Sequence, residues 1–439
     1  MSEPPARPRH ERPPHHDPTP ALPSYETIRL SGPRVSLRPW RPDDAAVMAT
    51  ASADPEIARF CMMPPGYTMA MAREFLADAP RAWAEDGWLH LALTQRGADD
   101  IVGAIGLLRY DALSATAELG YWVLPRHRGR GLARGGVELL RDWALGTLGL
   151  RRIEIGTLVT NPASRHVART LGFTPEVLLR SYRPWLDGRS DCVLYALVRD
   201  GGEGSAAGAA ASADPSPLAG LPTLVGPSPL VTVPDEELLP ALATARTDYP
   251  ATEPVMPSAP PRLGDGAIVL RPYTDDDLAD LVTACNDPET QRWIAVLPQP
   301  YTNEDGRAFL GQAATGWERY YDAFYCIADA ASDRLLGGCG LHANEAWAGV
   351  AEIGYHVAPW ARRRGVATAA ARLVAHWALD VLKLARVQIL ADTRNAASGA
   401  VATRLGFVRE GVQRLDHGRP GDLGDHAVFS LLPGDPRPW

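Results

Sequence analysis

The hydrophobic and polar positions in the first half of the chain predict a defined order of strands and helices. An alternating segment at Val35–Arg38 predicts a short strand, and the acidic residues after Pro42 predict the first turn of a helix. An amphipathic stretch over residues 69–85 predicts a second helix. Apolar runs separated by Gly and Asp turns then predict three strands, at residues 89–93, 101–108 and 115–124.

The remainder of this half alternates between strand and helix patterns. A helix starting near Gly129 is predicted by apolar residues at helical spacing, which are Leu132, Leu139, Leu140 and Trp143. A strand at 153–159, a helix at 163–171 and two further strands complete the order. A meander followed by strand–helix units predicts an α/β fold with a mixed sheet of the α+β kind.

The same order returns 234 positions later, residue by residue. Glu118-Leu119-Gly120-Tyr121 recurs as Glu352-Ile353-Gly354-Tyr355, and Leu171-Gly172-Phe173 recurs as Leu405-Gly406-Phe407. A repeat of this length exceeds a solenoid unit, so the chain is predicted to contain two complete domains of one fold. The predicted segments are a tail at 1–27, domains at 28–199 and 262–433 joined by a linker at 200–261, and a C-terminal tail at 434–439.

The composition of the segments outside the repeats supports this division. The first 27 residues are rich in Pro, Arg and His without apolar periodicity, which predicts disorder. The linker is rich in Gly, Ala and Ser and then in Pro, with a possible short helix at Asp235–Leu239.

Overall composition narrows the classes of function. The 439 residues carry a net charge of −8, which argues against a general binder of nucleic acids or membrane surfaces. Five scattered cysteines without a Cys-x-x-Cys pair fit a reducing compartment and exclude a disulfide framework or a standard zinc site. No apolar run is long enough to span a bilayer, so a cytoplasmic location is expected.

The candidate chemistry lies in a basic, glycine-rich turn between a predicted strand and a predicted helix. The turn is Arg128-Gly129-Arg130-Gly131-Leu132-Ala133, and its copy is Arg362-Arg363-Arg364-Gly365-Val366-Ala367. Free N–H groups at a helix N-terminus bind anions, and glycine allows close approach of the ligand. Because Lys383 is the only lysine, any phosphate site must use arginine or backbone amides. The turn lacks Gly-Lys-Ser/Thr and a third glycine, which excludes a P-loop and a dinucleotide fingerprint.

These residues resemble the GNAT N-acetyltransferase superfamily, and in particular its RimJ/RimL-type branch. The family signature Arg/Gln-x-x-Gly-x-Gly/Ala is matched by Arg128-x-x-Gly131-x-Ala133 and by Arg362-x-x-Gly365-x-Ala367. The branch-typical Leu-Arg-Pro-aromatic, Glu-x-Gly-Tyr, Asn-x-x-Ser and Leu-Gly-Phe segments surround both copies. The resemblance implies two tandem acyl-CoA N-acyltransferase domains.

The resemblance also implies a co-substrate and the residues that hold it. Acetyl-CoA is expected between two splayed strands, with its pantetheine arm paired to main chain and its pyrophosphate on the turn. The residues implied in the first domain are Tyr121, Trp122, Val123, Arg128, Gly129, Arg130, Gly131, Leu132, Ala133 and Asn161. Those implied in the second domain are Tyr355, His356, Val357, Arg362, Arg363, Arg364, Gly365, Val366, Ala367 and Asn395. No metal is implied.

Direct attack of an amine on a thioester needs a base, because the amine arrives as an ammonium. Glu118 and its copy Glu352 are the candidate bases, and the alternative is a charge pair with a nearby arginine. Asn161 precedes Pro162 in the pattern of a helix cap, which is compatible with a contact to the cofactor arm. By resemblance, Ser164 and its copy Ser398 donate a proton to the CoA sulfur.

The aromatic residues and the differences between the copies bear on the acceptor site. Residues that are candidates for lining an acceptor cleft, with packing in the core as the alternative, are Trp40, Tyr273, Trp88, Trp122 and Trp185. His356 replaces Trp122 in the second copy and adds a titratable group near the expected thioester position.

The resemblance implies a primary amine as the acceptor, either a protein N-terminus or a small molecule, and the sequence does not choose between them. Two alternatives stay open. One is a different acyl-CoA donor, and the other is that one domain serves as a non-catalytic acyl-CoA sensor or scaffold. Neither a nucleic acid nor a membrane is expected as a partner.

Overall fold

The computed structural model describes residues 22–61, 63, 66–112, 114–185, 188–199, 249–250, 256–320, 322–345, 348–419 and 422–439. These residues form two compact units. The N-terminal unit contains the described residues up to 176 together with 193–199, and the C-terminal unit contains 177–192 and the described residues from 249 onward. Residues 1–21 of the predicted tail and 200–248 of the predicted linker, with the helix expected at Asp235–Leu239, lie outside the described residues.

The N-terminal unit is built on a mixed sheet in which an antiparallel meander leads into a parallel pair. Its strands are β1 (Leu30–Ser31), β2 (Val35–Pro39), β3 (Leu89–Gln95), β4 (Ile101–Asp111), β5 (Thr116–Val123), β6 (Arg152–Leu158), β7 (Thr174–Trp185) and β8 (Gly188–Val198). Its helices are α1 (Ala45–Ser52), α2 (Pro55–Phe60), α3 (Met69–Asp86), α4 (Leu132–Gly146) and α5 (Pro162–Thr170). β7 and β8 pass from this unit into the C-terminal unit at residues 177 and 192.

The C-terminal unit repeats this order. Its strands are β9 (Tyr249–Pro250), β10 (Leu263–Gly264), β11 (Ile268–Arg271), β12 (Asp322–Asp329), β13 (Leu335–Glu345), β14 (Val350–Val357), β15 (Arg386–Asp392), β16 (Val408–Arg419) and β17 (Asp422–Leu431). Its helices are α6 (Leu278–Cys285), α7 (Pro288–Trp293), α8 (Asn303–Tyr320), α9 (Val366–His376) and α10 (Ala396–Arg404). β10 to β14 pair antiparallel in order, β14 pairs parallel with β15, and β17 lies between β15 and β16. The predicted mixed α/β fold is confirmed in both copies.

Two details differ from the expected elements. The helix expected near Gly129 begins at Leu132, because Gly129 and Gly131 adopt left-handed φ values of 72° and 73° that are incompatible with a helix. The six-residue helix α2 was not predicted from hydrophobic periodicity. Its start is fixed instead by Asp54, whose side chain accepts the N–H of Ile57.

The segments next to the predicted tails are packed against the units. The Tyr25 hydroxyl, which is buried, donates to the His90 carbonyl at 2.8 Å and accepts the N–H of Trp40 at 3.1 Å. At the other end of the chain, the indole N–H of Trp439 donates to the Leu405 carbonyl at 3.0 Å. Residues on the tail side of the predicted boundaries at 27 and 434 thus make hydrogen bonds to the domains, and the boundaries themselves stay predictions.

A matched pair of tryptophans shows that the repeat extends further upstream than its motifs suggested. Trp83 donates its indole N–H to the Pro23 carbonyl at 2.7 Å, and Trp317 donates to the Pro257 carbonyl at 2.8 Å. The segment around Pro257, predicted as linker, thus belongs to the C-terminal unit in the same way.

The hairpin of β7 and β8 belongs largely to the C-terminal unit, although the repeat predicted all of residues 28–199 as one domain. Val177 pairs with Gly411 of β16. The Arg180 guanidinium contacts Glu410 at 3.1 Å and Asp435 at 2.8 Å. These polar contacts and the strand pairing explain why residues 177–192 belong to the C-terminal unit.

The repeated aspartates of the last strands have a structural role. The Asp191 carboxylate accepts the N–H of Ser181 at 2.8 Å, and the Asp425 carboxylate accepts the N–H of Leu415 at 3.0 Å. Ser181 and Leu415 have left-handed φ values of 50° and 46°, so each carboxylate stabilises a backbone kink at the same point of the repeat.

Strand alternation sorts the residues of the central strands onto two faces. On β14, Ala351 and Ile353 join the core under α9, while Glu352 and Gly354 face the side of α6 and α8. Among the described residues, no helix has the length and apolar character needed to cross a membrane.

Candidate active site

The two central parallel strands of each unit separate at the same register. β5 and β6 pair from Thr116 to the Glu118–Glu154 pair, and β14 and β15 pair from Val350 to the Glu352–Gln388 pair. All four strands continue beyond these last pairs, and β5 stays paired with β4 as far as Val123. The separation leaves one main-chain edge of β5 and of β14 facing a gap, which is the kind of edge that can pair with an extended ligand.

The glycine-rich turns have the same backbone conformation in both units. Gly129 and Gly131 have φ values of 72° and 73°, and Arg363 and Gly365 have φ values of 59° and 79°. Arg363 therefore adopts the left-handed conformation of Gly129, at a cost of about 1 kcal/mol for a residue with a side chain. The difference in sequence at this position does not change the shape of the turn.

The turns face open space. A Cβ added to Gly129 or to Gly365 would meet no other atom within 4 Å, so neighbouring side chains do not explain either glycine. The first N–H groups of α4 and α9 follow directly and have no partner within their own helices. Each turn therefore presents an anion site at a helix N-terminus.

The signature arginines are held by carboxylates. Arg128 donates to Asp54 at 2.6 Å and to the Val123 carbonyl at 3.2 Å. Arg362 contacts Asp287 and donates to the Val357 carbonyl at 3.3 Å. In the structure these guanidinium groups hold the turn against the caps of α2 and α7, and the cofactor contact that the resemblance implies for them stays a prediction. The turn arginines Arg128, Arg130, Arg363 and Arg364 are exposed, and Arg362 is partly buried.

The capping aspartates carry the negative charge that this brace requires. Asp54 and Asp287 each accept a backbone N–H of the helix that they start, at 2.9 Å. Partial burial opposes ionisation, but these N–H donors and the arginines lower the pKa of both carboxyls.

A tyrosine and a serine meet on the other side of each gap. The hydroxyl of Tyr121 lies 2.9 Å from Ser164 Oγ, and that of Tyr355 lies 3.0 Å from Ser398 Oγ. Burial raises the pKa of both tyrosines to about 12, although the serine hydrogen bonds act in the opposite direction. Both phenols thus remain protonated donors. The sequence placed tyrosine and serine at the cofactor separately and did not predict that they pair.

The asparagines before these serines cap their helices, as the sequence pattern predicts. Asn161 Oδ1 accepts the N–H of Ser164 at 3.1 Å, and Asn395 Oδ1 accepts the N–H of Ser398 at 3.1 Å. The caps fix the position of each serine relative to the gap.

The two candidate bases have different surroundings. Glu118 is 8% exposed and forms an ion pair with Arg109, which is the alternative that the sequence left open. Glu352 accepts a long hydrogen bond of 3.4 Å from Gln388, and 234 positions after Arg109 the chain has Ala343. The negative charge of Glu118 is thus matched by an arginine that the second repeat lacks at the equivalent position.

The aromatic residues divide between core and cleft wall. Trp40 is buried in a hydrophobic cluster, with its ring 6.5 Å from that of Trp122. Tyr273 packs edge-on against Phe309 at 5.2 Å. The side chain of Trp185 lies outside the described residues.

His356 is a neutral wall residue. Burial lowers the pKa of His356 to about 4, so this side chain stays uncharged at neutral pH and does not supply the titrating group expected there. It packs over Gly338, where an added Cβ would lie 2.5 Å from the imidazole.

Two polar residues on the same face as Glu352 were not singled out from the sequence. They are Asp322 at the start of β12 and His342 on β13, and the first repeat has Trp88 and Leu108 at these positions. Asp322 and His342 differ from the residues of the first repeat, whereas the sequence motifs were found from residues that the two repeats share.

Comparison with known proteins is consistent with this geometry. The family described as "Acetyltransferase (GNAT) domain" matches residues 34–174 and 267–408, which together exceed half of the chain. The N-acetyltransferase p20 of Bacillus licheniformis, uncharacterised in function, is 26% identical over 166 residues, which cover 38% of this chain and 93% of that protein.

Two further relatives are similar over one repeat. A putative ribosomal N-acetyltransferase of Bacillus subtilis, YdaF, is 30% identical over 166 residues, covering 37% of this chain and 88% of that protein. The crystal structure of a GCN5-related N-acetyltransferase from Brucella melitensis is 27% identical and covers 42% of this chain and 83% of that chain, with a TM-score of 0.37.

Proposed function

The chain belongs to the GNAT acetyltransferase family, whose members use acetyl-CoA, and we propose that each of its two units binds one acetyl-CoA. The observation that carries this proposal is the coincidence, in both units, of a strand gap and a left-handed turn at a helix N-terminus. Each unit offers an edge for an extended arm and, at its end, amides for a pyrophosphate.

The residues that line each gap can be matched to the parts of acetyl-CoA. The free edges of β5 and β14 at Tyr121–Val123 and Tyr355–Val357 would pair with the pantetheine arm. The turn residues would hold the pyrophosphate through their N–H groups, because open space lies over Gly129 and Gly365. Exposed Arg130, Arg363 and Arg364 are near enough in sequence to add counter-charge. The signature arginines act indirectly by fixing the turn.

The reaction requires few groups from the protein. An α-amino group has a pKa near 8 and a lysine amine near 10.4, so the acceptor must lose a proton before it attacks the thioester carbonyl. A backbone N–H of the β5 or β14 edge is placed to stabilise the resulting oxyanion. The Tyr121–Ser164 and Tyr355–Ser398 pairs would donate a proton to the departing thiolate. No step requires a metal.

The two units are proposed to differ in rate. Glu118 forms an ion pair with Arg109, whereas the second repeat has Ala343 at the position of Arg109. A carboxylate paired with a guanidinium is a weaker base, so we assign the faster reaction to the C-terminal unit.

The acceptor proposed is a cationic primary amine. Asp322 and Glu352 place negative charge on the cleft face, which favours an ammonium over a neutral amine. The Bacillus subtilis relative YdaF is named as a putative ribosomal N-acetyltransferase. A protein N-terminus is therefore the first class to test, ahead of small polyamines.

Titration of the full-length protein with acetyl-CoA tests the proposal. Calorimetry is expected to give two sites per chain, and the protein should then acetylate N-terminal peptides in a coupled thiol-release assay. A single site would restrict binding to one unit. Absence of any binding would overturn the proposal for both.

Alanine at Gly131, or at its copy Gly365, is expected to weaken acetyl-CoA binding. Gly131→Ala and Gly365→Ala force a side chain into left-handed backbone, which costs about 1–2 kcal/mol and moves the amides. Affinity at the altered unit should fall about tenfold, as measured by calorimetry. Gly311→Ala is the matched control, because Gly311 lies in α8 and a Cβ there meets open space. Equal effects of all three changes would contradict the assigned site.

A further inference from the structure

A row of polar side chains crosses the sheet of the C-terminal unit at one register. Asp322 of β12 lies opposite His342 of β13, His342 lies opposite Glu352 of β14, and Glu352 lies opposite Gln388 of β15. Residues directly opposite one another on neighbouring strands project from the same face with Cβ atoms about 5 Å apart. The row therefore lies together on the face that carries Glu352, at the point where β14 and β15 separate.

The imidazole of His342 is oriented within this row. Its Nδ1 lies 3.5 Å from Asp322 Oδ1, an ion-pair distance longer than a hydrogen bond. Asp322 Oδ1 is buried and has no hydrogen-bond partner among the described atoms, so His342 is the polar group that it faces. The other end of the ring lies over two glycines, since Cβ atoms added to Gly340 and Gly354 would fall 3.0 and 3.4 Å from Nε2.

The Nε2 atom of His342 lies close to the strand edge that is proposed to hold the thioester. Gly354 directly precedes the Tyr355–Val357 edge that is proposed to hold the thioester arm. An imidazole over Gly354 thus lies on the acceptor side of that edge, while Tyr355 and Ser398 meet on the opposite face. Nδ1 faces a carboxylate and Nε2 faces the cleft, which is the arrangement of a histidine base and its orienting aspartate.

The electrostatic surroundings suit a base that works near neutral pH. Burial alone would lower the pKa of His342, but the charges of Asp322 and Glu352 outweigh burial and raise it. Apart from these two carboxylates, the ring that packs against His342 is that of Phe324, edge-on at 5.4 Å. Within the described residues, no group of His, Cys, Asp and Glu side chains is arranged to hold a metal ion, so the row does not have the geometry of a metal site.

The N-terminal unit has no equivalent of this row. Leu108 lies opposite Glu118 in place of His342, and Trp88 occupies the position of Asp322. The histidine nearest in register to the position of His342 is His90, which lies on the neighbouring strand opposite Gly106. Glu118 forms an ion pair with Arg109. The two units therefore share the cofactor groups but differ in the groups that face the acceptor.

We propose that His342 is the general base of the C-terminal unit and that Asp322 is the residue that positions it. This inference rests on the proposed acetyl transfer. His342 Nε2 takes a proton from the acceptor ammonium, and the neutral amine then forms a bond to the thioester carbonyl carbon. The C–S bond breaks, and the thiolate receives a proton from the Tyr355–Ser398 pair. The imidazolium then loses its proton to solvent, and the second amine proton replaces the one that the Tyr355–Ser398 pair donated. The products are the amide, the CoA thiol and one released proton. Glu352 holds the cationic imidazole and the ammonium in place.

The test combines variants with two readouts in the full-length protein. His342→Gln is expected to lower kcat/KM for an N-terminal peptide by about 100-fold while leaving acetyl-CoA affinity unchanged. Asp322→Asn removes charge that stabilises the imidazolium. The acid limb of kcat/KM, which lies above pH 6.5 if His342 is the base, should therefore move to lower pH. Titration of the labelled histidine ring by NMR should show the same displacement.

His376→Gln is the matched control, because His376 is an exposed residue that also contacts an aspartate, Asp380 at 2.6 Å. It should leave the rate and the pH profile unchanged. A loss below about threefold in His342→Gln, or an acid limb that Asp322→Asn does not move, overturns the inference. A wild-type protein that fails to bind acetyl-CoA overturns the proposed function instead, and the two failures are separated by the calorimetric control.

Discussion

Replacing Arg152 by methionine is expected to destabilise the N-terminal unit by about 3–5 kcal/mol. Arg152 is fully buried and donates to Glu154 at 2.5 Å and to Glu176 at 2.7 Å, and the Glu176 side chain is itself fully buried. Methionine keeps most of the volume but removes the cation, so a carboxylate is left in a low-dielectric site without this partner. The cost comes from the residual charge rather than from lost packing.

Hydrogen exchange read by mass spectrometry locates the effect within the chain. Amides of β6 that exchange only on unfolding of the unit should exchange faster by about two to three and a half powers of ten. Amides of β15 in the C-terminal unit serve as the internal reference. Arg152→Met combined with Glu176→Gln should recover at least half of the loss, because the double change also removes the carboxylate that lost Arg152. A double variant as unstable as the single one would show that packing is responsible.

The second repeat provides a matched comparison. Arg386 is equally buried and bonds Glu410 at 2.7 Å, and Glu410 also accepts from Ser430 Oγ at 2.7 Å and contacts Arg180 at 3.1 Å. Arg386→Met should therefore leave Arg180 as a remaining cation for Glu410, and Arg180→Met added to it should destabilise the unit further. A double variant as stable as Arg386→Met would contradict this explanation.

The elements that the sequence predicted well are those set by neighbours in the chain. The strand at 116–123, the turn at 128–131 and the asparagine caps depend on alternation, on glycine conformation and on side chains three residues apart. Repetition strengthened each of them, because two copies with the same local pattern rarely arise by chance. These elements carry the residues that we propose as the acetyl-CoA site.

The features that were missed depend on residues distant in the chain. Tyr25 donates a hydrogen bond to His90, 65 positions away, and Arg128 donates one to Asp54, 74 positions away. Neither partner can be chosen from local pattern, since the chain contains many other carbonyls and carboxylates. The same holds for Glu118, whose pairing with Arg109 required the register of β4 and β5.

The repeat also has a bearing on how function was distributed between the copies. Shared residues identify the fold and the cofactor groups, whereas the acceptor-side row of Asp322 and His342 appears where the copies disagree. A duplicated domain can keep its cofactor turn while its acceptor face changes, because the two lie on different elements. Residues that differ between the repeats and lie together on one face of the sheet are therefore the positions that inform about the acceptor.

Removing the tyrosine hydroxyl of the C-terminal unit is expected to lower kcat by about 100-fold. A thiolate with a pKa near 8.5 leaves more readily when a proton is delivered to it, and Tyr355 with Ser398 forms the hydrogen-bonded pair at the gap. Tyr355→Phe keeps the ring, so acetyl-CoA affinity and thermal stability should change little. The measurement is the steady-state rate of thiol release with a saturating peptide acceptor.

Non-additivity decides whether the pair acts as one donor. Ser398→Ala alone should lower kcat about tenfold, and the double variant should be no slower than Tyr355→Phe, because residues that act as a unit do not contribute separately. Burial raises the pKa of Tyr355 to about 12, so the phenol stays protonated and adds no limb to the pH profile between pH 6 and 10. Tyr121→Phe is the matched variant in the N-terminal unit, and its smaller effect on the total rate would follow from the pairing of Glu118 with Arg109. If Tyr121→Phe slows the protein more than Tyr355→Phe, the faster reaction belongs to the N-terminal unit and the assignment of the base to His342 loses its basis.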